Sequence, residues 1–213
     1  MVTAADGPGV PSNAETPAPR VGPGTRADIG ALNALITQVL GAAIGTGPPN
    51  LFTTLARHPR LFRRWLRFAG TLMPGGTLPR LDTELIILRV AHRCDCRYEW
   101  QHHQRIAAAA GLSEAQVAAV REGPDAAPWS AHERALLRAV DELFADRRVG
   151  DDTWEQLRAS YTDQQLIELL VLIGHYEMLA GLINSLDIQP DALAPPTGTL
   201  TRLVGRLAAR RAG

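Results

Sequence analysis

Apolar residues recur every three or four positions through most of the chain between residues 28 and 190. This repeat is that of a helix with one face turned toward a core. Short breaks rich in Gly and Pro separate the repeating stretches, such as GTGPP at 45–49 and PGGTLPR at 74–80, and such breaks end helices. No stretch alternates apolar and polar residues as a strand does. The pattern predicts an all-α fold.

Local signals mark where several of the helices begin and end. In a capping box, a hydroxyl residue and a Glu or Gln three positions later bond the first free N–H groups of a helix. Three pairs fit this pattern: Ser113 with Gln116, Ser130 with Glu133, and Thr162 with Gln165. Asp151 or Asp152 is expected to cap a further short helix, and Gly111 is suited to the left-handed residue that ends one.

The last predicted long helix has the sequence LIELLVLIGHYEMLAGLIN and ends near Asn184. Its apolar residues cover nearly the whole circumference, which is typical of a helix buried on all sides. We therefore expect this helix at the centre of the fold.

The chain divides into three parts by composition. Residues 1–27 are rich in Pro, Gly, Ala and Thr and are predicted to be a disordered leader, because they cannot bury enough apolar surface to offset chain entropy. Residues 28–190 form the predicted helical domain. Residues 191–213 are expected to be a loop followed by a basic helix that docks on a partner subunit, with its charges at Arg202, Arg206, Arg210 and Arg211.

All 22 basic residues other than histidine are arginines, so the chain contains no lysine. Schiff-base catalysis, covalently bound pyridoxal phosphate and a P-loop lysine all need an ε-amine and are excluded. The formal net charge is zero, which gives no overall field that would attract nucleic acid or an anionic membrane.

Compartment and partners follow from equally simple features. The only two cysteines, Cys94 and Cys96, are too close in sequence to form a structural disulfide framework, so we expect a cytoplasmic protein. No secretory signal is visible, and no uninterrupted apolar run reaches the ~18 residues of a membrane span. We expect a small-molecule substrate and neither a nucleic-acid nor a membrane partner.

Three side chains that could take part in a reaction lie at the end of the short CDC turn and on the helix after it. Cys96, Glu99 and His103 are spaced by three and four positions, so they lie on one face of the helix predicted from about Arg97 to Ala110. Glu84 lies twelve residues before Cys96 on the preceding predicted helix. In a helical hairpin, all four side chains could share one pocket.

These residues resemble the motif of the alkyl hydroperoxidase D and carboxymuconolactone decarboxylase superfamily. That motif is Glu, eleven residues, Cys, two residues, Cys, three residues, His, and a glutamate, Glu99, replaces its second cysteine here. The surrounding string ELIILRVAHRCDCRYEWQHHQRIAAAAGLS is similar to a branch with a Tyr-Glu-Trp-x-His-His run. The resemblance covers roughly residues 50–190. It implies an alkyl hydroperoxidase D-like bundle of about eight to ten helices with its active site in a helical hairpin.

The decarboxylase members imply acid–base chemistry on a small organic acid or lactone without a cofactor. The expected enzyme is a lyase or isomerase that performs decarboxylation, isomerisation or elimination. His103 would transfer the proton and Glu99 or Glu84 would orient it. Four residues are candidates for substrate binding, the arginines for a carboxylate: Arg89, Arg93, Tyr98 and His102. Packing by Tyr98 and a structural hydrogen bond of His102 are the ordinary alternatives.

The redox members of the superfamily imply a different use of the same residues, because their two cysteines pass through a disulfide cycle. Here Cys94 would have to resolve Cys96, and a Cys-x-Cys bridge closes a strained, easily reduced ring. The alternative function is therefore a peroxiredoxin-like alkyl hydroperoxidase in which Cys96 passes through a sulfenic acid and His103 lowers its pKa. A second alternative is a non-catalytic helical ligand-binding protein.

Metal binding and assembly complete the expectations. The motif region supplies metal-donor side chains at poor spacing, and adjacent histidines on a helix diverge, so we expect no metal. The resemblance also implies assembly into a homo-oligomer, either a dimer, a trimer or a hexamer.

Overall fold

The computed structural model describes residues 18–192. In this part of the chain there are nine α-helices and no strand: α1 (Arg26–Ile44), α2 (Asn50–Leu55), α3 (Pro59–Leu72), α4 (Arg80–Arg93), α5 (Arg97–Ala110), α6 (Glu114–Glu122), α7 (Ala131–Asp146), α8 (Asp151–Arg158) and α9 (Asp163–Ser185). The predicted all-α class and the predicted number of helices are confirmed for these residues.

Most of the predicted boundary signals act as expected. The capping boxes at the starts of α6, α7 and α9 are all formed, and Gly111 ends α5 in the left-handed conformation with φ 113°. The prediction for α8 is wrong by one residue. Gly150 is the N-cap, and Asp151 is the first residue of the helix, where its negative charge still complements the helix dipole.

The turn between α4 and α5 positions the predicted motif. Asp95 adopts a positive φ of 49°, and the backbone N–H of Cys96 donates to the carbonyl of Ala91 at 2.8 Å. The side chain of Asn184 on α9 donates to the carbonyl of Cys94 at 2.8 Å. These bonds hold α4 and α5 as a hairpin against α9, with Cys96 as the N-cap of α5.

Helix α4 is the structural centre of the described fold. It is buried from Asp82 to Ala91 without interruption and packs against α5, α7 and α9. The larger apolar cluster of the core surrounds α4. A second apolar cluster joins α1, α2 and α3 to Cys96, Tyr98 and the C-terminal half of α9. The motif therefore lies where the two clusters meet.

The prediction that α9 is buried on all sides is wrong for one face. Ile167, Val171 and Met178 are 65%, 38% and 51% exposed, although the opposite face packs in the core. By length and composition α1 and α9 could each cross a membrane. The core helix of a soluble protein can have the same length and composition, so these two properties are weak evidence for a membrane span. Periodicity reports which residues are apolar and not which of them the rest of the fold covers.

The predicted domain limits need one correction. The backbone N–H of Arg20 donates to the carbonyl of Leu186 at 2.9 Å, and that of Gly24 donates to the carbonyl of Thr53 at 3.2 Å. Residues 18–25 are thus bonded to the helices, although the leader was predicted to extend to residue 27. The remainder of the predicted leader, residues 1–17, and the predicted basic helix with its four arginines lie outside the described residues.

Candidate active site

A histidine–carboxylate pair joins the two helices of the hairpin. The Oε2 atom of Glu84 lies 2.7 Å from Nδ1 of His103, and the two residues are 0% and 8% exposed. A carboxylate can only accept here, so Nδ1 carries the proton and Nε2 is left as the basic nitrogen. The pair has the geometry of a general base held in one tautomer.

Arg80, which the sequence analysis did not identify, forms an ion pair with Glu84. It precedes Glu84 by one turn of α4, and its guanidinium lies 2.9 Å from Oε1 of Glu84. The Glu84 side chain is fully buried and that of Arg80 is 43% exposed. The positive charge beside the buried carboxylate therefore belongs to a side chain that reaches the surface. The four-residue spacing of Arg80 and Glu84 was the signal that could have revealed it.

Glu99 lies on the same face of α5, one turn before His103, and is only 2% exposed. Burial raises its pKa to about 8, an effect that the neighbouring Cys96 thiol only partly offsets. Apart from the Cys96 thiol, the carboxyl oxygens have no hydrogen-bond partner among the described residues. At neutral pH Glu99 is therefore mainly a protonated acid that can donate to a bound molecule.

Neither cysteine has the properties of an activated thiol. Cys96 is 1% exposed, and burial together with the nearby Glu99 raises its pKa to about 12. Burial likewise raises the pKa of Cys94 to about 11. Because the thiolate is the reactive form, both residues are poor nucleophiles in this environment.

Tyr176 forms a wall of the site from α9. Its ring meets that of His103 edge-on, with centroids 5.2 Å apart and an interplanar angle of 87°. Burial raises the pKa of Tyr176 well above its usual value, and the nearby Glu99 and Glu84 raise it further. Nothing in the local sequence identifies Tyr176, because only the fold brings α9 to the hairpin.

Two of the predicted substrate-binding residues belong to a separate cluster around Asp191. The Asp191 carboxylate accepts from the hydroxyl of Tyr98 at 2.5 Å and lies 2.9 Å from Nε2 of His102. Asp191 also accepts from the backbone N–H of Asn50 at 2.7 Å. A cleft of about 270 Å³ is lined there by Gln101, His102, Gln104, Arg105 and Asp191. His102 and His103 point in different directions, so this cleft is not the His103 site.

The structure does not bring Arg89 to the site. Its guanidinium binds both carboxylate oxygens of Asp141 at 2.9 and 2.7 Å and donates to the carbonyl of Val120 at 2.7 Å. Arg93 is half-exposed, lies 3.7 Å from the same carboxylate and covers the ring of Phe144. Arg89 has its hydrogen bonds satisfied within the protein, and it joins α4 to α6 and α7 instead of binding a substrate.

Within the described residues, no three His, Cys, Asp or Glu side chains converge in a way that could hold a metal ion. The groups that the site offers are therefore a base, a neutral acid and a buried thiol. Two titratable groups in contrasting environments are the usual arrangement of an acid–base pair.

A Glu99→Gln variant is expected to change how stability depends on pH. The pKa of Glu99 is raised in the folded protein to about 8 from 4.5, so its stabilising contribution is complete below the lower value and is lost as pH rises through the upper one. Relative to the variant, the wild type should lose roughly 2 kcal/mol between about pH 6 and about pH 7.5. Urea unfolding at both pH values measures the difference.

The exposed Glu122 offers a control for the removal of one negative charge. If wild type and Glu99→Gln differ by the same free energy of unfolding at both pH values, after correction by Glu122→Gln, Glu99 is not the buried acid described above.

Comparison with known proteins finds one family that part of this chain resembles. The sequence model of the Carboxymuconolactone decarboxylase family matches residues 59–142, which include α3 to α6, the hairpin and most of α7. No curated protein resembles the chain closely enough to count as a match. The resemblance to this superfamily is confirmed, while its Tyr-Glu-Trp-x-His-His branch stays a prediction.

Solved structures share the fold. The debrominase Bmp8 is 18% identical, with a TM-score of 0.67 over 88% of this chain and 97% of its own. A peroxidase-related protein from Ralstonia eutropha JMP134 with an alkylhydroperoxidase AhpD core is 22% identical, with a TM-score of 0.64 over 84% and 90%. A suggested antioxidant defence protein AhpD from Agrobacterium tumefaciens is 24% identical, with a TM-score of 0.57 over 63% and 92%. At these identities the likeness establishes the all-α fold alone.

Proposed function

We propose that this carboxymuconolactone decarboxylase-like chain is an acid–base enzyme that acts on a small organic acid or lactone without a cofactor. The observation that carries the proposal is the 2.7 Å contact of His103 with Glu84, on the same helix face as the neutral acid Glu99. One residue can remove a proton and the other can supply one.

The base is His103. Glu84 holds the ring by Nδ1, so Nε2 is the atom that accepts a proton from the carbon next to the substrate carbonyl. As the imidazolium forms, the buried Glu84 carboxylate stabilises its charge across the existing hydrogen bond. Arg80 keeps that carboxylate in place at 2.9 Å.

The acid is Glu99. Its proton can be donated to the carbonyl oxygen that becomes an enol, which lowers the energy of the developing negative charge. His103 and Glu99 are one helical turn apart, with about 5–6 Å between their Cβ atoms. The proposal places the enolisable fragment of the substrate between these two side chains.

The thiol chemistry of the alternative, peroxidase function is disfavoured by the environment of Cys96. A peroxidase needs a thiolate, whereas burial and the nearby Glu99 raise the pKa of Cys96 to about 12, so its thiol stays protonated at neutral pH. Glu99 stands where the superfamily motif has a second cysteine, so one helix face presents a carboxyl group in place of a dithiol.

The test is deuterium exchange, observed by nuclear magnetic resonance, at the carbon next to the carbonyl in a panel of small lactone acids and keto acids. The wild type and Cys96→Ser are expected to exchange a substrate of this panel at similar rates. Peroxide and alkyl hydroperoxide consumption is measured in parallel. Consumption that is lost in Cys96→Ser, without exchange in any panel member, would establish the peroxidase alternative.

The non-catalytic alternative has its own signature in the same experiment. If the wild type neither exchanges the panel nor consumes peroxide, yet panel members shift the resonances of His103, the protein is a ligand-binding protein and the proposed function is wrong.

A further inference from the structure

The cleft beside Asp191 is lined by polar side chains whose hydrogen-bonding groups are largely unused. Within residues 18–192, the side chains of Gln101, Gln104 and Arg105 form no hydrogen bond or ion pair with another residue. Arg105 is exposed and the two glutamines are partly exposed. An amide or a guanidinium without a protein partner is available to a bound molecule. One face of α5 therefore offers donors and acceptors to a ligand in this cleft.

His102 presents a fixed ring to the same cleft. Its Nε2 atom lies 2.9 Å from Oδ2 of Asp191, and the carboxylate also accepts from the Tyr98 hydroxyl and the Asn50 backbone N–H. A carboxylate only accepts, so Nε2 carries the proton of the neutral ring and Nδ1 is left as an acceptor. The Asp191 side chain is 6% exposed and that of His102 is 14% exposed. The buried acid holds the ring, while Nδ1 stays available for a ligand hydroxyl.

Arg105 supplies a positive charge at this cleft. Its Nη2 atom would lie 3.5 Å from a Cβ built on Gly45, the left-handed residue that ends α1. The guanidinium thus lies beside the C-terminal end of α1, where the helix dipole favours a cation. Among the described residues that line the cleft only Asp191 is acidic, and its two oxygens already accept from three donors. The charge of Arg105 is consequently available to an anion.

A groove between α5 and α6 continues from the cleft. The groove has a volume of about 460 Å³ and shares Gln104 and Arg105 with the cleft. Most of its other lining residues are apolar: Trp100, Ala108, Leu112, Val117 and Ala118. Glu114 and Arg121 add one charge of each sign, and the Arg121 guanidinium lies 4.4 Å from the centroid of the Trp100 ring. A molecule whose anionic group is held at Arg105 can therefore extend an apolar part along this groove.

We propose that the cleft and the groove together bind a hydroxy acid with an apolar chain. The carboxylate pairs with Arg105, the hydroxyl donates to Nδ1 of His102, and the chain follows the groove between α5 and α6. The amides of Gln101 and Gln104 supply further donors to the carboxylate. His102 and His103 are adjacent and leave α5 about 100° apart, so this site is separate from the His103 site. The proposal does not rest on the proposed function.

Four related compounds test the three contacts separately, by isothermal titration calorimetry with the full chain. 3-Hydroxyoctanoate has all three features, whereas octanoate lacks the hydroxyl, methyl 3-hydroxyoctanoate lacks the charge, and 3-hydroxybutyrate lacks the long chain. We expect 3-hydroxyoctanoate to bind several-fold more tightly than octanoate, because one neutral hydrogen bond is gained. It should bind about tenfold more tightly than the ester and the short acid, which lack a charge-assisted contact and several buried methylenes.

Variants assign each contact to its residue. His102→Phe keeps an aromatic ring beside Tyr98, whose centroid lies 4.7 Å away, and should remove the preference for 3-hydroxyoctanoate over octanoate. Arg105→Gln should weaken the binding of both acids about tenfold and leave that of the methyl ester unchanged. Because Arg105 is exposed, its replacement leaves the core intact.

Two controls separate this site from general charge effects and from the hairpin. Arg64→Gln removes another exposed arginine, on α3, that has no acidic partner among residues 18–192, and it should bind all four compounds as the wild type does. His103→Gln should also bind them like the wild type. A wild type that fails to catalyse deuterium exchange would contradict the proposed function and leave these binding results unchanged.

Four results would overturn the proposal. The first is no measurable binding of 3-hydroxyoctanoate at millimolar concentration. The second is equal affinity of the wild type for 3-hydroxyoctanoate and octanoate. The third is an Arg105→Gln variant that binds the acids as well as Arg64→Gln does. The fourth is binding that is lost in His103→Gln and kept in His102→Phe, which would assign the hydroxy acid to the hairpin site.

Discussion

A His103→Gln variant is expected to lose the exchange activity by about 10²- to 10⁴-fold, the usual contribution of a positioned general base. Glutamine can still hydrogen-bond to Glu84, so the fold of the hairpin is preserved while the basic Nε2 atom is removed. The loss should appear in kcat more than in KM, because the proton transfer and not the binding contact is removed. Initial rates of deuterium incorporation against substrate concentration measure both constants.

A second histidine–carboxylate pair on the same helix provides the control. His132 lies 3.0 Å from Asp82, and the Tyr161 hydroxyl donates to the same carboxylate at 2.5 Å. Asp82 precedes Glu84 by two residues, so its side chain leaves α4 from a different face. His132→Gln should leave kcat within a few-fold of the wild type. An equal loss in both variants would mean that His103 acts through general stability and is not the base.

Glu84→Gln separates tautomer control from base identity. The glutamine side chain can donate its amide N–H to Nδ1, which favours the tautomer with the proton on Nε2. Nε2 is then unable to accept a proton from the substrate. A loss of activity with retained stability would show that the Glu84 carboxylate sets the working tautomer of His103.

The hairpin could be predicted from the sequence because its information is local. Cys96, Glu99 and His103 share a helix face by their spacing alone, and the twelve-residue step back to Glu84 spans one tight turn. Capping boxes also act between near neighbours, so they correctly marked the starts of three helices.

The interactions that could not be predicted depend on contacts between distant parts of the chain. Tyr176 reaches His103 from α9, and Asp141 reaches Arg89 from a helix more than forty residues later in the sequence. From the sequence alone Arg89 is a candidate for binding a substrate carboxylate, because its partner Asp141 is identified only by the fold. For the same reason the apolar circumference of α9 did not reveal that Ile167 and its neighbours on one face are exposed.

The reversal in the interpretation of Arg89 is testable, because Arg89→Met should lower the free energy of unfolding by about 3 kcal/mol. The variant leaves the Asp141 carboxylate and the Val120 carbonyl without the donors that now bind them at 2.7 to 2.9 Å. Methionine retains much of the apolar volume, so the effect reports the lost ion pair and not a cavity. In a chain of this size the change corresponds to a fall in Tm of about 6–12 °C.

Arg93→Met is the matched control for this loss of stability. Arg93 approaches the same Asp141 carboxylate, but at 3.7 Å and with its side chain 38% exposed, and exposed pairs of this kind contribute less than about 1 kcal/mol. A large fall in Tm for Arg89→Met beside a small one for Arg93→Met identifies Arg89 as the residue that fastens α4 to α7. An unchanged Tm in Arg89→Met, with a raised KM for the exchanged substrate, would instead restore Arg89 as a carboxylate-binding residue.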